Sequence, residues 1–257
     1  MAKILLLGSS YSTGSYVLDS DGTEHWKSHI SYYDVLGDEH EVDVYCGPNF
    51  GYMNYVDILC NHIPMIPHYD LVIIQECLEP KIQFHEPDQV WLTRKRGTVT
   101  KNYLSHKSII FSNAVDLSEI MPSDHNIAYN SNFITWKDKI VTAGQQAMIP
   151  QSACMMLNHT LQMAGVPGYI LCMGTEWNHG DKDQLSKWNI HNKYLEMPTF
   201  AQFGYDIFKK DPTYVNFRPG GQKMAHYTKA GNYEIGQVLL SEVRQILNKE
   251  EKVNAKT

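Results

Sequence analysis

The sequence predicts an α/β fold in which helices pack on both faces of a five-stranded parallel sheet. Two observations carry that prediction. Five short apolar runs recur along the 257 residues, continuous rather than alternating, and this is how strands covered on both faces read. Other segments repeat their apolar residues at helical spacing. Strands alternating with helices build parallel sheets.

The first run, Ile4 to Leu7, stops at Gly8 and is followed by small hydroxyl residues up to Gly14. Similar strands are predicted in "EVDVYCG" at 41–47, "YDLVIIQE" at 69–76, "KSIIFSNA" at 107–114 and "GYILCMG" at 168–174. Each is rich in β-branched or aromatic residues and bounded by turn formers. A helix is expected over 151–164, with Ala153, Met156, Leu157, Leu161 and Ala164 on one stripe and Gly165 and Pro167 ending it. The last helix is the clearest: Thr228 can cap it, and Ile235, Val238, Leu239, Val243 and Ile246 recur along it. The chain thus reads as one domain over 1–257 with insertions at about 78–106 and 174–222. The first insertion contains "WLTRKRGTVTKNYLSHK", basic and without an acid, read as a solvated excursion or as a flap for an anionic substrate. The second carries Trp177, Trp188 and Phe200 among polar residues, as a lid or binding loop would.

Composition narrows the functional classes. Hydrophobic residues make up 43% and charged residues 19%, as in an ordinary soluble globule. A net charge of −6 argues against a nucleic-acid partner. Cys46, Cys60, Cys77, Cys154 and Cys172 show no CxxC spacing, so reduced thiols are expected rather than a disulfide framework. With no apolar stretch of membrane-spanning length and too short an apolar start for a signal peptide, no membrane partner and a cytoplasmic setting are expected. No cofactor is expected either. Gly8 and Gly14 lack the Lys of a phosphate loop and the middle glycine of a dinucleotide fingerprint. Two polar clusters, His179 with Asp181 and Asp183, and Asp124 with His125, lack a metal-binding spacing, so no metal is expected.

The chemistry concentrates at the two ends of the chain. Ligands of parallel sheets gather beyond the carboxyl ends of the strands, so the first strand delivers Gly8, Ser9 and Ser10 there. A serine hydroxyl needs a base to become a nucleophile. His226, in "MAHYTKAGNYEIG" just before the last helix, enters from the far end of the chain. Cys46 and Cys77, at strand ends on the same edge, are alternative nucleophiles or buried inert thiols.

These two segments resemble the SGNH (GDSL-type) hydrolases. "LLGSSYSTGS" is similar to that family's opening Gly-Asp-Ser-x-x-x-Gly block, with Gly8, Ser10 and Gly14 in register, and "HYTKAGNYEIG" to its closing His-x-x-x-x-Gly block, with His226 and Gly231 in register. The resemblance implies a flavodoxin-like three-layer sandwich, Ser10 as nucleophile and His226 as base. It also implies an oxyanion hole, for which Ser10, Gly47 (or Gly51) and the amide of Gln75 are the candidates. Three positions depart from the pattern. Ser9 stands where the family has Asp, Lys223 stands where it has the Asp that orients the His, and "QECLEP" replaces its Gly-x-Asn-Asp block. Some other carboxylate or a backbone carbonyl would have to hold the imidazole; Asp206 and Asp211 lie nearby in sequence, and nothing selects either. The reading is a serine esterase acting on a small acyl ester, including O-acetyl groups of a carbohydrate. The alternatives are an acyltransferase on the same scaffold and an inactive binding or assembly protein.

Overall fold

A computed structural model of the chain describes residues 1–20, 24–47, 50–62, 66–76, 81–83, 91–104, 108–110, 143–173, 193–217 and 224–254. The first apolar run is β1 (Lys3–Gly8), the middle of the main sheet. Its side chains alternate between two cores: Ile4 and Leu6 enter one, Leu5 and Leu7 the other, and all four are fully buried. Burial on both faces explains the continuous run, since each such side chain contributes roughly 1.5–3 kcal/mol.

A hairpin follows at once, β2 (Ser15–Leu18) and β3 (Glu24–Ser28), paired antiparallel outside the main sheet. Strands β4 (Glu41–Cys46) and β5 (Leu71–Gln75) flank β1, both parallel to it. Next come β6 (Lys81–Gln83), β7 (Trp91–Arg96), β8 (Val99–Leu104) and β9 (Ser108–Ile110). β8 runs parallel to β4 and turns back antiparallel onto β7, while β6 and β9 form a separate antiparallel pair. Strands β10 (Gly168–Leu171) and β11 (Lys193–Tyr194) complete the other edge, both parallel. The sheet order is β11-β10-β5-β1-β4-β8-β7. Five strands of four or more residues run parallel, with a two-residue strand at one edge and an antiparallel strand at the other.

Two expectations change here. The fifth long parallel strand is β8 and not 107–114, of which 108–110 pairs with β6 and 111–114 lies outside the described residues. The 78–106 stretch is therefore more than a solvated excursion, since 91–104 extends the sheet. Lys101 on β8 is buried, its ammonium 2.7 Å from Asp34 and donating to the His29 carbonyl.

The helices fall on the two faces. α1 (Tyr52–Asp57) and α2 (Ala143–Ala164) cover Leu5 and Leu7, while the 3-10 turn Tyr32–Asp38, α3 (Phe200–Lys210) and α4 (Lys229–Asn254) cover Ile4 and Leu6. On α2, Ala153, Leu157 and Leu161 are buried as expected, but Met156 is 49% exposed and Cys154 takes the inner place. The helix ends as its sequence indicates: Val166 N–H donates to the Leu161 carbonyl and Gly165 N–H to that of Gln162. α3 lies inside the stretch read as an irregular loop, capped by the Thr199 hydroxyl, which accepts from Gln202 N–H at 3.2 Å. On α4, Ile235, Leu239, Val243 and Ile246 are buried and Val238 packs partly against them.

Taken in chain order, β4, β1, β5, β10 and β11 follow the doubly wound order 2-1-3-4-5. Successive connections diverge between β1 and β5, opening a crevice beyond their carboxyl ends. Gly8 and Gln75 are the residues that end those two strands. Among the described residues, no helix is long and apolar enough to cross a membrane.

Candidate active site at the first strand end

The chain leaves β1 through Ser9 and enters a 3-10 turn, Ser10–Ser12, closed by Ser12 N–H on the Ser9 carbonyl at 2.8 Å. Gln75 holds this turn from the neighbouring strand. Its Oε1 accepts from Ser9 N–H at 3.1 Å and from the Ser12 hydroxyl at 2.6 Å, and its Nε2 donates to Ser9 Oγ at 2.6 Å. Ser12 Oγ also meets the Tyr32 hydroxyl at 2.7 Å, and Tyr33 donates to the Ser12 carbonyl at 2.7 Å. Gly8 makes room for this arrangement, because a Cβ there would lie 2.0 Å from Ser12 Oγ.

The other end of the chain arrives on β13 (Met224–Tyr227), which pairs antiparallel with β12 (Val215–Phe217). His226 Nε2 lies 2.9 Å from Ser10 Oγ across 216 residues of sequence. Both residues are partly buried, as an enclosed but reachable hydroxyl requires. The strand is fixed just beyond: Tyr227 is buried and its hydroxyl donates to the Phe200 carbonyl. Thr228 then starts α4, its hydroxyl donating to the Thr213 carbonyl at 2.8 Å. Gly231, the second glycine of the closing motif, lets α4 seat on this region, since a Cβ there would lie 2.0 Å from the Tyr214 carbonyl oxygen.

The remaining expected residues fall out differently. Gly47 follows β4 on the same edge and is buried, with its N–H directed at the Gly8 carbonyl at 3.4 Å. Gly51 caps α1 and donates to Asn54 Oδ1 at 2.7 Å. Gln75, expected as an oxyanion donor, directs its carboxamide at the Ser9–Ser12 turn. The two acids proposed to orient His226 are engaged at the surface. Asp206 accepts from Gln202 at 3.0 Å and pairs with Lys209. Asp211 accepts from the N–H and hydroxyl of Thr213, bonds that hold its carboxyl below the usual range. Burial pushes the Cys46 thiol up to about 12, which leaves it protonated and inert. Cys77, Lys223, His179, Asp181, Asp183, Asp124 and His125 lie outside the described residues, and among those described no three His, Cys, Asp or Glu gather as metal ligands would.

Sequence reasoning missed the aromatic surroundings of the imidazole. The Tyr16 ring stacks on His226 at 4.1 Å and 20°, and the Tyr11 ring packs against it at 4.5 Å and 39°. The signal was present in "SSYSTGSY", where tyrosines interleave with the motif serines, but nothing in one sequence distinguishes such rings from core residues. Glu76 was missed as well. It is buried where β5 ends and joins β10 there, its Oε2 accepting from Met173 N–H at 2.9 Å and from the Cys172 thiol at 3.2 Å.

No family profile matches this chain, and no curated protein matches it. Among solved structures, an aryl esterase of M. smegmatis is similar at a TM-score of 0.38 and 13% identity, over 95% of this chain and 99% of that one. At that level the likeness carries no argument about activity, and the functional reading rests on the site itself.

Proposed function

We propose that the chain is a serine ester hydrolase of the SGNH type acting on small acyl esters through Ser10 and His226. What supports the reading is the contact between Ser10 Oγ and His226 Nε2, at 2.9 Å, at the switch point of a doubly wound sheet. In the first half-reaction Ser10 Oγ bonds to the ester carbonyl carbon while its proton passes to His226 Nε2. The carbonyl oxygen becomes an oxyanion facing the N–H of Ser10 and, once it turns from the Gly8 carbonyl, that of Gly47. The C–O bond to the leaving alcohol then breaks, and His226 returns the proton to that oxygen. In the second half-reaction His226 takes a proton from water, the hydroxide oxygen adds to the acyl carbon, and the Ser10 ester bond breaks with the proton returned to Oγ.

The Gly47 contact favours a second reading, in which the scaffold binds without turnover, because a donor bonded to the protein is not free for an oxyanion. Hydrolysis of p-nitrophenyl acetate separates the two. The hydrolytic reading predicts turnover that falls to background in Ser10→Ala and drops by ~10²–10⁴-fold in His226→Ala. Equal rates in all three proteins would overturn it.

A further inference from the structure

We infer that Tyr16 is a positioning residue for the imidazole of His226, holding its ring in register with the Ser10 hydroxyl. The inference rests on the hydrolytic reading for its purpose, but its geometry stands independently. A histidine base must be held in orientation, and an aromatic face packed on the imidazole is one way to hold it. Tyr16 lies nearly parallel to the imidazole, its ring centroid 4.1 Å away.

Its far end is tied to the nucleophile's own backbone. Thr13 Oγ1 donates to the Ser10 carbonyl at 2.7 Å, so its one hydrogen is committed there. The 2.6 Å contact between Thr13 Oγ1 and the Tyr16 hydroxyl is therefore donated by Tyr16. The Tyr16 hydroxyl also lies 3.4 Å from the Ser10 carbonyl. One phenol thus spans the two reacting residues, with its ring on the base and its hydroxyl tethered through Thr13 to the nucleophile.

The backbone that carries Tyr16 is fixed from the segment that carries His226. Asn232 is buried in the first turn of α4, six residues beyond the histidine. Its Nδ2 reaches the Gly14 carbonyl at 3.4 Å and Ser15 Oγ at 3.3 Å, at the foot of the β2–β3 hairpin. The Ser15 hydroxyl donates to the Ile30 carbonyl where that hairpin returns. The loop closes from Ser10 through Thr13, Tyr16 and His226 back to Ser10, with Tyr16 carried on β2.

The test compares Tyr16→Phe, which keeps the ring and drops the tether, with Tyr16→Leu, which drops both. The His226 ring-proton resonances, assigned against His226→Ala, report stacking directly, and p-nitrophenyl acetate kinetics report its use. Tyr16→Leu is expected to lose the part of the ring-current shift on His226 that Tyr16 supplies, leaving that of Tyr11, and to lower kcat by ~10–100-fold, with KM within about twofold. Tyr16→Phe is expected to keep the shift and most of kcat. Unchanged His226 resonances and kcat in Tyr16→Leu would overturn the inference, and so would equal losses in both variants. A wild-type protein inert toward esters would sink the hydrolytic reading alone, and nuclear Overhauser contacts between the His226 ring and Ser10, kept in wild type and lost in Tyr16→Leu, would still decide whether Tyr16 positions the ring.

Discussion

Ser10 is held at its carbonyl by Thr13 and meets His226 at its hydroxyl. Its neighbours on either side, Ser9 and Ser12, are fastened by one carboxamide, that of Gln75. Both serines are buried, and although Ser12 Oγ keeps the Tyr32 hydroxyl, replacing Gln75 by an apolar residue strands the N–H and hydroxyl of Ser9 away from water. Each stranded group costs ~1–3 kcal/mol. Gln75→Leu is therefore expected to lower the urea midpoint by an amount equivalent to ~2–5 kcal/mol. It should also slow ester turnover more than it raises KM, because the turn that presents Ser10 is loosened. A midpoint and kcat equal to wild type would mean that the clamp holds nothing. Gly8 belongs to the same scale. Gly8→Ala drives a methyl into Ser12 Oγ, 2.0 Å away, and is expected to destabilise the fold by ~1–3 kcal/mol as measured by thermal unfolding.

At the scale of elements, the hairpin β7–β8 joins the sheet by pairing β8 with β4, and a buried ion pair adds a side-chain tie to the body of the protein. Lys101 on β8 meets Asp34 in the 3-10 turn Tyr32–Asp38, its ammonium 4.6 Å from the centre of the Tyr33 ring. Removing one partner alone leaves the other charge buried and unpaired, whereas neutralising both together is tolerated. Lys101→Ala is accordingly expected to cost ~3–5 kcal/mol in denaturant unfolding, and the double variant Lys101→Met with Asp34→Asn to recover most of that loss. Equal stability of Lys101→Ala and wild type would show that the ion pair adds nothing to the pairing of β8 with β4. The same strand marks where sequence reading reached its limit. β1, β5 and β10 were legible because both faces of each carry apolar residues, β4 because Val42, Val44 and Cys46 alternate along it, and α4 because its stripe is regular and capped. β8 was not legible, since "VTKNYL" places Lys101 and Asn102 where a buried strand should be apolar, and the facing Asp34 and the His29 carbonyl make the lysine tolerable. α3 was hidden by the polar stretch before it. At the site, Ser10 and His226 could be paired from motif spacing alone. The work of Gln75 and Tyr16 depends on which turns face each other across the sheet edge, and spacing does not record that.

For the molecule as a whole, two cores line the sheet, and the one that holds Ile4 and Leu6 buries several groups that ionise only at high pH. Burial pushes Cys46 from 9.0 up to about 12 and raises Tyr32 and Tyr227 above the ordinary tyrosine range. The folded chain keeps these protons where the unfolded chain surrenders them. The stability they contribute is complete below about pH 9 and is lost as pH climbs from there toward about 12. Denaturant midpoints are expected to be flat from neutrality to about pH 9 with respect to these groups and to fall above it. Cys46→Ala should flatten part of that fall, and a midpoint that rises over this range would contradict the burial. The same two cores bring the ends of the chain to one rim of the sheet, and the proposed chemistry depends on that meeting. Labelling with a fluorophosphonate, read by intact mass and peptide mapping, tests it most directly. The account predicts one adduct per chain on Ser10, absent in Ser10→Ala and slowed at least ~10²-fold in His226→Ala. A folded protein that takes no label, or takes it elsewhere than Ser10, would contradict it.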